Sequence, residues 1–187
     1  MKRALLFFFI LALLGCAKKE SIADKAVRLV RTNYPDCEKI VSVEIDTITL
    51  GDNLNYRINQ QHRHLEYSQS QVDFYNETIK EFNRNGSFAR KIVDGYKDDL
   101  SQAEKDLEHN KKMIAALDSL KQATLDIADT PAAYEVCVAY NYYSNKVWIQ
   151  LDADGTFLQM SKSVLDLLQN PGEDMPGYAE IVINNIY

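Results

Sequence analysis

The chain predicts an α+β fold: an N-terminal helix on a small antiparallel sheet, with a long antiparallel coiled-coil helical hairpin inserted after the first strand. Three observations carry this prediction. Two heptad series, over residues 54–82 and 89–117, flank a turn signal. Alternating strand-like stretches lie on either side of them, before residue 50 and after residue 134. An amphipathic stretch precedes the first strand.

Asp24 to Asn33 reads as the leading helix, with Ala26, Val27, Leu29 and Val30 apolar among charges, and Pro35 stopping it. From Ile40 to Leu50 the pattern alternates. Val41, Val43, Ile45 and Thr47 point one way and Ser42, Glu44 and Asp46 the other, as in a half-buried strand ended by Gly51-Asp52-Asn53.

The period then changes to seven. Ile58, Leu65, Val72 and Ile79 fall one heptad apart, with Leu54, Gln61, Ser68, Tyr75 and Phe82 as the companion row. Asn83-Arg84-Asn85-Gly86-Ser87 supplies a glycine stop and a serine N-cap. Val93, Leu100, Leu107 and Ile114 form one row of the second series; Ala89, Tyr96, Ala103, Asn110 and Leu117 form the other. If the helices fold back at the turn, facing residue numbers must sum to a constant. Ile58 meets Ile114, Leu65 meets Leu107, Val72 meets Leu100 and Ile79 meets Val93, every sum being 172. The companion rows give Leu54 with Leu117, Gln61 with Asn110, Ser68 with Ala103, Tyr75 with Tyr96 and Phe82 with Ala89, every sum being 171. Polar meets polar and small meets small, as an antiparallel coiled coil requires. The hairpin is expected over residues 54–125, each arm about 40 Å long.

After Thr130-Pro131, Tyr134, Val136, Val138, Tyr140 and Tyr142 alternate on one side of a strand. Ser144-Asn145 makes a turn, and Val147, Ile149 and Leu151 alternate on the return strand. Asp152-Ala153-Asp154-Gly155 is a second turn, and Thr156 to Met160 a third strand of this meander. Ser161 is positioned to cap a short helix over Lys162–Leu168. Ala179 to Ile183, after a loop with two Pro-Gly pairs, is a final strand candidate.

The first sixteen residues address location rather than fold. Lys2 and Arg3 precede an unbroken apolar run of eleven, Ala4 to Leu14, too short for a permanent bilayer span. The run ends in Leu13-Leu14-Gly15-Cys16, which resembles the lipobox of bacterial lipoproteins. That resemblance implies a signal peptide over residues 1–15, acylation of Cys16 with palmitate-type chains, and cleavage that makes Cys16 the first mature residue. Residues 16–21 then form a lipidated tether, and residues 22–187 a single α+β domain. Ala17, where inner-membrane retention calls for Asp, implies the outer membrane of a Gram-negative cell envelope. The order of elements, with residues 24–50 leading and strands at 134–160 following, resembles small uncharacterised outer-membrane lipoproteins with a cystatin-like or NTF2-like sheet.

Removing residues 1–15 leaves 172 residues carrying 19 basic and 27 acidic side chains, a net charge of about −8. That balance excludes a nucleic-acid binder and leaves anchoring to the acyl chains. Two cysteines remain in an oxidising compartment, Cys37 and Cys137, either as a disulfide or as two thiols packed as small hydrophobes.

Candidates for chemistry are sparse. His62 and His64 diverge on a helix, where metal pairs need spacings of three or four. His64 faces Asp106 in the hairpin register, and His109 falls on the outer face. Asp152, Asp154 and Gly155 resemble the opening of a calcium loop, yet Thr156-Phe157-Leu158 resumes a strand where further oxygen ligands are needed, so a β-turn is read there. Tyr143 and Trp148 fall on the opposite sheet face from Tyr140, Tyr142 and Ile149. They form core if the leading helix covers that face, and an aromatic binding patch if it does not. No phosphate loop, nucleophile elbow or zinc-protease histidine pair occurs. The sequence is therefore read as a membrane-anchored, non-enzymatic lipoprotein with no metal or cofactor. The hairpin is its expected protein-docking element, and small-ligand or glycan binding on the aromatic sheet face is the alternative.

Overall fold

A computed structural model describes residues 20–84 and 90–185. The chain is a mixed α+β fold in which one helix, α1 (Ile22–Asn33), lies on a four-stranded antiparallel sheet. Strand β1 (Ile40–Thr49) leads into the hairpin helices α2 (Leu50–Arg84) and α3 (Arg90–Ala123). Strands β2 (Pro131–Tyr140), β3 (Lys146–Asp152) and β4 (Phe157–Ser161) complete the sheet in sequence order, and α4 (Tyr178–Asn184) closes the described chain.

Helix α1 starts where Ser21 accepts the Asp24 N–H, an N-cap that satisfies one of the free donors of the first turn. Its apolar stripe buries Ala26 and Val30 against Val136, Val138, Tyr140, Val147, Ile149 and Leu151. These residues share one sheet face because the registers pair Val136 with Ile149 and Val138 with Val147. The opposite face is covered by the chain after β4. Gln150, fully buried there, donates Nε2 to the Leu168 carbonyl at 2.9 Å and accepts the Leu168 N–H at 3.1 Å.

The hairpin follows the predicted register. Leu54 and Leu117 are buried together at its base, and Gln61 Nε2 donates to Asn110 Oδ1 at 2.6 Å. Asn110 Nδ2 donates in turn to Ser68 Oγ at 2.9 Å, so one buried amide bridges two layers. Tyr96 lies between Tyr75 and Phe82, at ring separations of 6.1 and 5.8 Å. The glycine turn and Ala89 lie outside the described residues. With 35 and 34 residues, the helices run about 50 Å, longer than expected.

The extra length comes from the base. Gly51-Asp52-Asn53 is not a turn; it is the first turn of α2, entered from β1 without a loop. Thr49 and Asp52 cap each other: Asp52 Oδ2 accepts the Thr49 N–H at 2.9 Å, and Thr49 Oγ1 accepts the Asp52 N–H at 3.1 Å. That reciprocal pair is a capping box. The Leu50 and Gly51 N–H groups donate to Thr130 and Ala128 carbonyls, both at 2.9 Å, so the exit of the hairpin is bonded to its entrance. Gly51 lets the two segments approach closely here: a Cβ would lie 3.1 Å from the Ala128 oxygen.

Three further expectations are corrected. Residues 179–183 are helix rather than strand, because Tyr178 and Ile181 turn onto the hairpin-base cluster of Leu50, Leu54, Ile58, Met113 and Leu117. The short helix expected over 162–168 is a single 3-10 turn, Val164–Asp166, capped by Ser163 instead of Ser161. Tyr142 leaves the strand face because Asn141 takes a positive φ of 57°, which ends the alternation. Its side chain stabilises that turn by accepting the Glu38 and Lys39 N–H groups.

Two substitutions test this frame. Gly172 sits at φ 87°, and a Cβ there would overlap the Ala132 backbone. Gly172→Ala is expected to cost more than about 1 kcal/mol in denaturant unfolding, since strain and overlap act together. Asn110→Leu leaves Gln61 and the buried Ser68 without their partner and is expected to cost about 1–3 kcal/mol. An Asn110→Leu chain as stable as wild type removes the bridging role.

Candidate functional site

The hairpin carries a recess along one of its interhelical seams. Where the helices pack through Ser68 and Ala103, small side chains leave the interhelical seam open on one side. The result is a groove of about 420 Å³. Its floor is Ser68, Ala103 and Asn110. His64, Tyr67, Gln71 and Tyr75 form the α2 wall, and Asp99, Gln102, Asp106 and His109 the α3 wall. Ser68 is held down by its own bond to the His64 carbonyl at 3.0 Å, and Asn110 by its two amide bonds. The floor is therefore rigid and its polar atoms are already partnered.

The lip of the groove is apolar. Tyr67 is 67% exposed, and Phe74, one heptad on, is 55% exposed. Phe74 packs edge-on to Tyr75 at 5.3 Å. On the facing helix Ile92 shares the heptad row of Asp99 and Asp106 and is 52% exposed. The arm's exposed large hydrophobic side chains thus gather beside one seam. The other seam holds a shallower recess of about 380 Å³ with Leu65 and Leu107 among Glu66, Gln69, Asp73 and Lys111.

His64 and Asp106 line the groove as the register predicts, and His109 reaches its rim from the outer face. His62 is exposed and is not part of the lining. No group of three or more metal-binding side chains occurs among the described residues. The Asp152–Gly155 segment is the β-turn read from sequence. Asp152 Oδ1 accepts the Asp154 and Thr156 N–H groups at 3.0 and 2.7 Å, and the Lys25 ammonium donates to the Asp154 and Gly155 carbonyls at 2.9 and 3.2 Å.

The aromatic patch divides. The leading helix covers the face opposite Trp148, which pairs across strands with Cys137 and Ser161 and is half-buried on the back of the sheet. Tyr143 stands in the β2–β3 turn at 72% exposure, beside Tyr142 at 71%. Exposed tyrosines and a half-buried indole therefore occupy neighbouring positions at one end of the sheet.

Cys37 and Cys137 are both free thiols in the structure, one of the two states that the sequence left open. Cys37 packs on the α1 side with the main core cluster, whereas Cys137 projects from β2 to the other face, opposite Val136 and Val138. The sheet itself separates the two sulfurs. Burial pushes the Cys137 thiol above its ordinary pKa, with Glu44 and Glu135 nearby adding to the effect and Lys146 opposing it.

Sequence reasoning missed a polar cluster at the hairpin base. Asn53, 2% exposed, donates to the Pro171 and Glu173 carbonyls at 3.2 and 2.7 Å. Arg57, one turn on, pairs with Asp174 and lies 4.4 Å over the Tyr178 ring. The Asn170 amide, turned so that its oxygen accepts from Arg57, completes the cluster. Each of these side chains is locally unremarkable in sequence, so no periodic signal could have exposed the cluster. It fastens the C-terminal segment to the arm.

Among the described residues no helix is long and apolar enough to cross a membrane. No protein family, curated protein or solved structure matches this chain. The free thiols give a test: the mass of the intact chain is expected to be unchanged by reductant. Cys137 is expected to alkylate more slowly than a model thiol at pH 8, gaining rate as pH rises, because its thiolate fraction is suppressed. A two-dalton shift on reduction restores the bridge.

Proposed function

We propose that the protein is a lipid-anchored lipoprotein of the cell envelope, attached through Cys16, that uses its helical arm to dock a protein partner and performs no catalysis. The observation that carries the docking role is the arrangement on the arm. Tyr67, Phe74 and Ile92 are exposed beside one seam whose floor is the small pair Ser68 and Ala103. Exposed apolar side chains rimmed by polar ones suit a protein contact better than they suit water. Small floor residues let another helix approach closely, and the groove walls supply Gln71, Gln102, Asp99 and Asp106 for specificity.

A second reading, a small ligand or glycan held at the aromatic end of the sheet, is favoured by the exposure of Tyr142 and Tyr143 near Trp148. It ranks lower because Trp148 is half-buried against its own strand neighbours.

Because the base of the hairpin belongs to the core, the arm must be shortened above it. Replacing residues 66–106 with a short turn joins Leu65 to Leu107 in register and keeps the Gln61–Asn110 pair. In a crosslinking pull-down from native membranes, the wild-type chain is expected to capture one stoichiometric partner that the shortened arm and a Tyr67→Ser/Phe74→Ser chain both lose. Capture unchanged by either variant removes the arm as the docking element. A Cys16→Ala chain is expected to leave the membrane fraction. If no protein is captured, ligand and glycan screens read through Trp148, the single tryptophan of the chain, take precedence.

A further inference from the structure

The position of α1 has a consequence for how the domain meets its membrane. The registers define two ends of the sheet. At one end Thr49 pairs with Pro131, Ala133 with Asp152, and Leu151 with Phe157. At the other, Ile40 pairs with Tyr140, Ala139 with Lys146, and Trp148 with Ser161. The seven residues of β3 separate these ends by about 20 Å.

The first turn of α1 is fixed at the first of these ends. Lys25 Nζ donates to the Asp154 and Gly155 carbonyls, and Ile22 Cδ1 lies close to where a Gly155 side chain would stand. The last turn of α1 lies at the other end, where Tyr34 stacks near Tyr140 at 5.4 Å and Lys162 lies over the Tyr34 ring. The chain therefore enters the domain beside the β3–β4 turn.

Three residues separate the acylated Cys16 from Glu20, so the anchor lies within about 14 Å of that point at full extension. This step rests on the lipid anchor proposed above. Exposed apolar side chains lie within reach. Phe157 and Leu158, immediately after the turn, are 48% and 38% exposed, and Leu125, beside the hairpin exit at the same end, is 59% exposed. Two acidic groups at this end are already engaged, Asp152 by the turn N–H groups and Glu20 by Arg28 at 2.9 and 3.0 Å, while Asp24, Asp126, Asp129 and Asp154 are exposed there. Lys18 and Lys19 in the tether carry charge that favours anionic headgroups.

We infer that the end of the sheet bearing the β3–β4 turn is a lipid-contact surface, with Phe157, Leu158 and Leu125 seated at the headgroup–acyl boundary of the bilayer. The tether is too short for the domain to turn its opposite end to the membrane. The base of the arm, which leaves from the same end, is then held beside the bilayer, and Tyr142 and Tyr143 face away from it.

The test uses the full-length lipidated chain in phosphatidylethanolamine–phosphatidylglycerol vesicles, in a Trp148→Phe background. An indole is introduced by Phe157→Trp, and in a separate chain by Tyr142→Trp at the far end. Phospholipid brominated on its acyl chains is the quencher. The Phe157→Trp emission is expected to fall by about half, because interfacial side chains reach the acyl boundary, while the Tyr142→Trp emission stays unchanged. Leu158→Trp repeats the measurement if far-ultraviolet circular dichroism shows that the Phe157 variant is misfolded. Vesicle flotation separates the two readings. Flotation with no quenching at either position, or with equal quenching at both, overturns the lipid-contact surface and leaves the anchor standing. Absence of flotation overturns the anchor and this orientation with it.

Discussion

The structure depends on one constraint: the chain closes on itself where β1 becomes α2. The Leu50 and Gly51 N–H groups donate to Thr130 and Ala128, the residues that bring the chain back from the arm. Strand pairing on one side of that junction and helix pairing on the other form a single fold-back. In the sheet, Val43 faces Val138 and Ile45 faces Val136. In the arm, Leu54 faces Leu117 and Gln61 faces Asn110. Registers on the two sides therefore specify each other. A one-residue slip in the sheet would exchange its faces, and the same slip in the arm would separate Asn110 from both Gln61 and Ser68.

The segment after β3 seals this frame. Segment 162–177 has almost no regular structure of its own and is held by side chains of other elements. Gln150 bonds Leu168 in both directions, Asn53 holds two carbonyls, and Gly172 lies against Ala132 where no side chain fits. Arg57 then fastens α4 through the Tyr178 ring and Asp174. Buried polar side chains are costly unless every group finds a partner, and no buried side-chain atom among the described residues is left without one. These bonds couple the root of the arm to the back of the sheet, so arm and sheet form one continuous body.

That rigidity bears on the proposed role. The arm would be a poor docking element if it swung freely from the sheet, because ordering it would cost much of the contact energy. Its root is instead built into a second core of Leu50, Leu54, Ile58, Met113, Leu117 and Met175, and its seam is held in register by the Asn110 bridge. In the proposed role, anchor, sheet and arm would present a partner with a surface at a set distance from the lipid.

The sequence by itself determined the arm and the order of the sheet. Heptad rows and strand alternation are local patterns, and the check on the register is that side-chain types match across it, polar Gln61 with Asn110 and small Ser68 with Ala103. The pairing of Ser68 with Ala103 was legible in the same register, but the groove beside it was not, since heptad rows record which residues face each other and not how far the seam opens. Tertiary structure decided the rest. The pattern Gly51-Asp52-Asn53 reads as a turn until Thr49 and Asp52 cap a helix and Ala128 closes over the glycine. Tyr178 to Asn184 has enough β-branched residues to read as a strand, and only the apolar face of the arm's base makes it a helix. The faces on which Cys37 and Cys137 lie, and the meeting of Arg57 with Asp174 and Tyr178, depend on residues more than ninety positions apart in sequence. No local period records such distances; they are set when the elements pack.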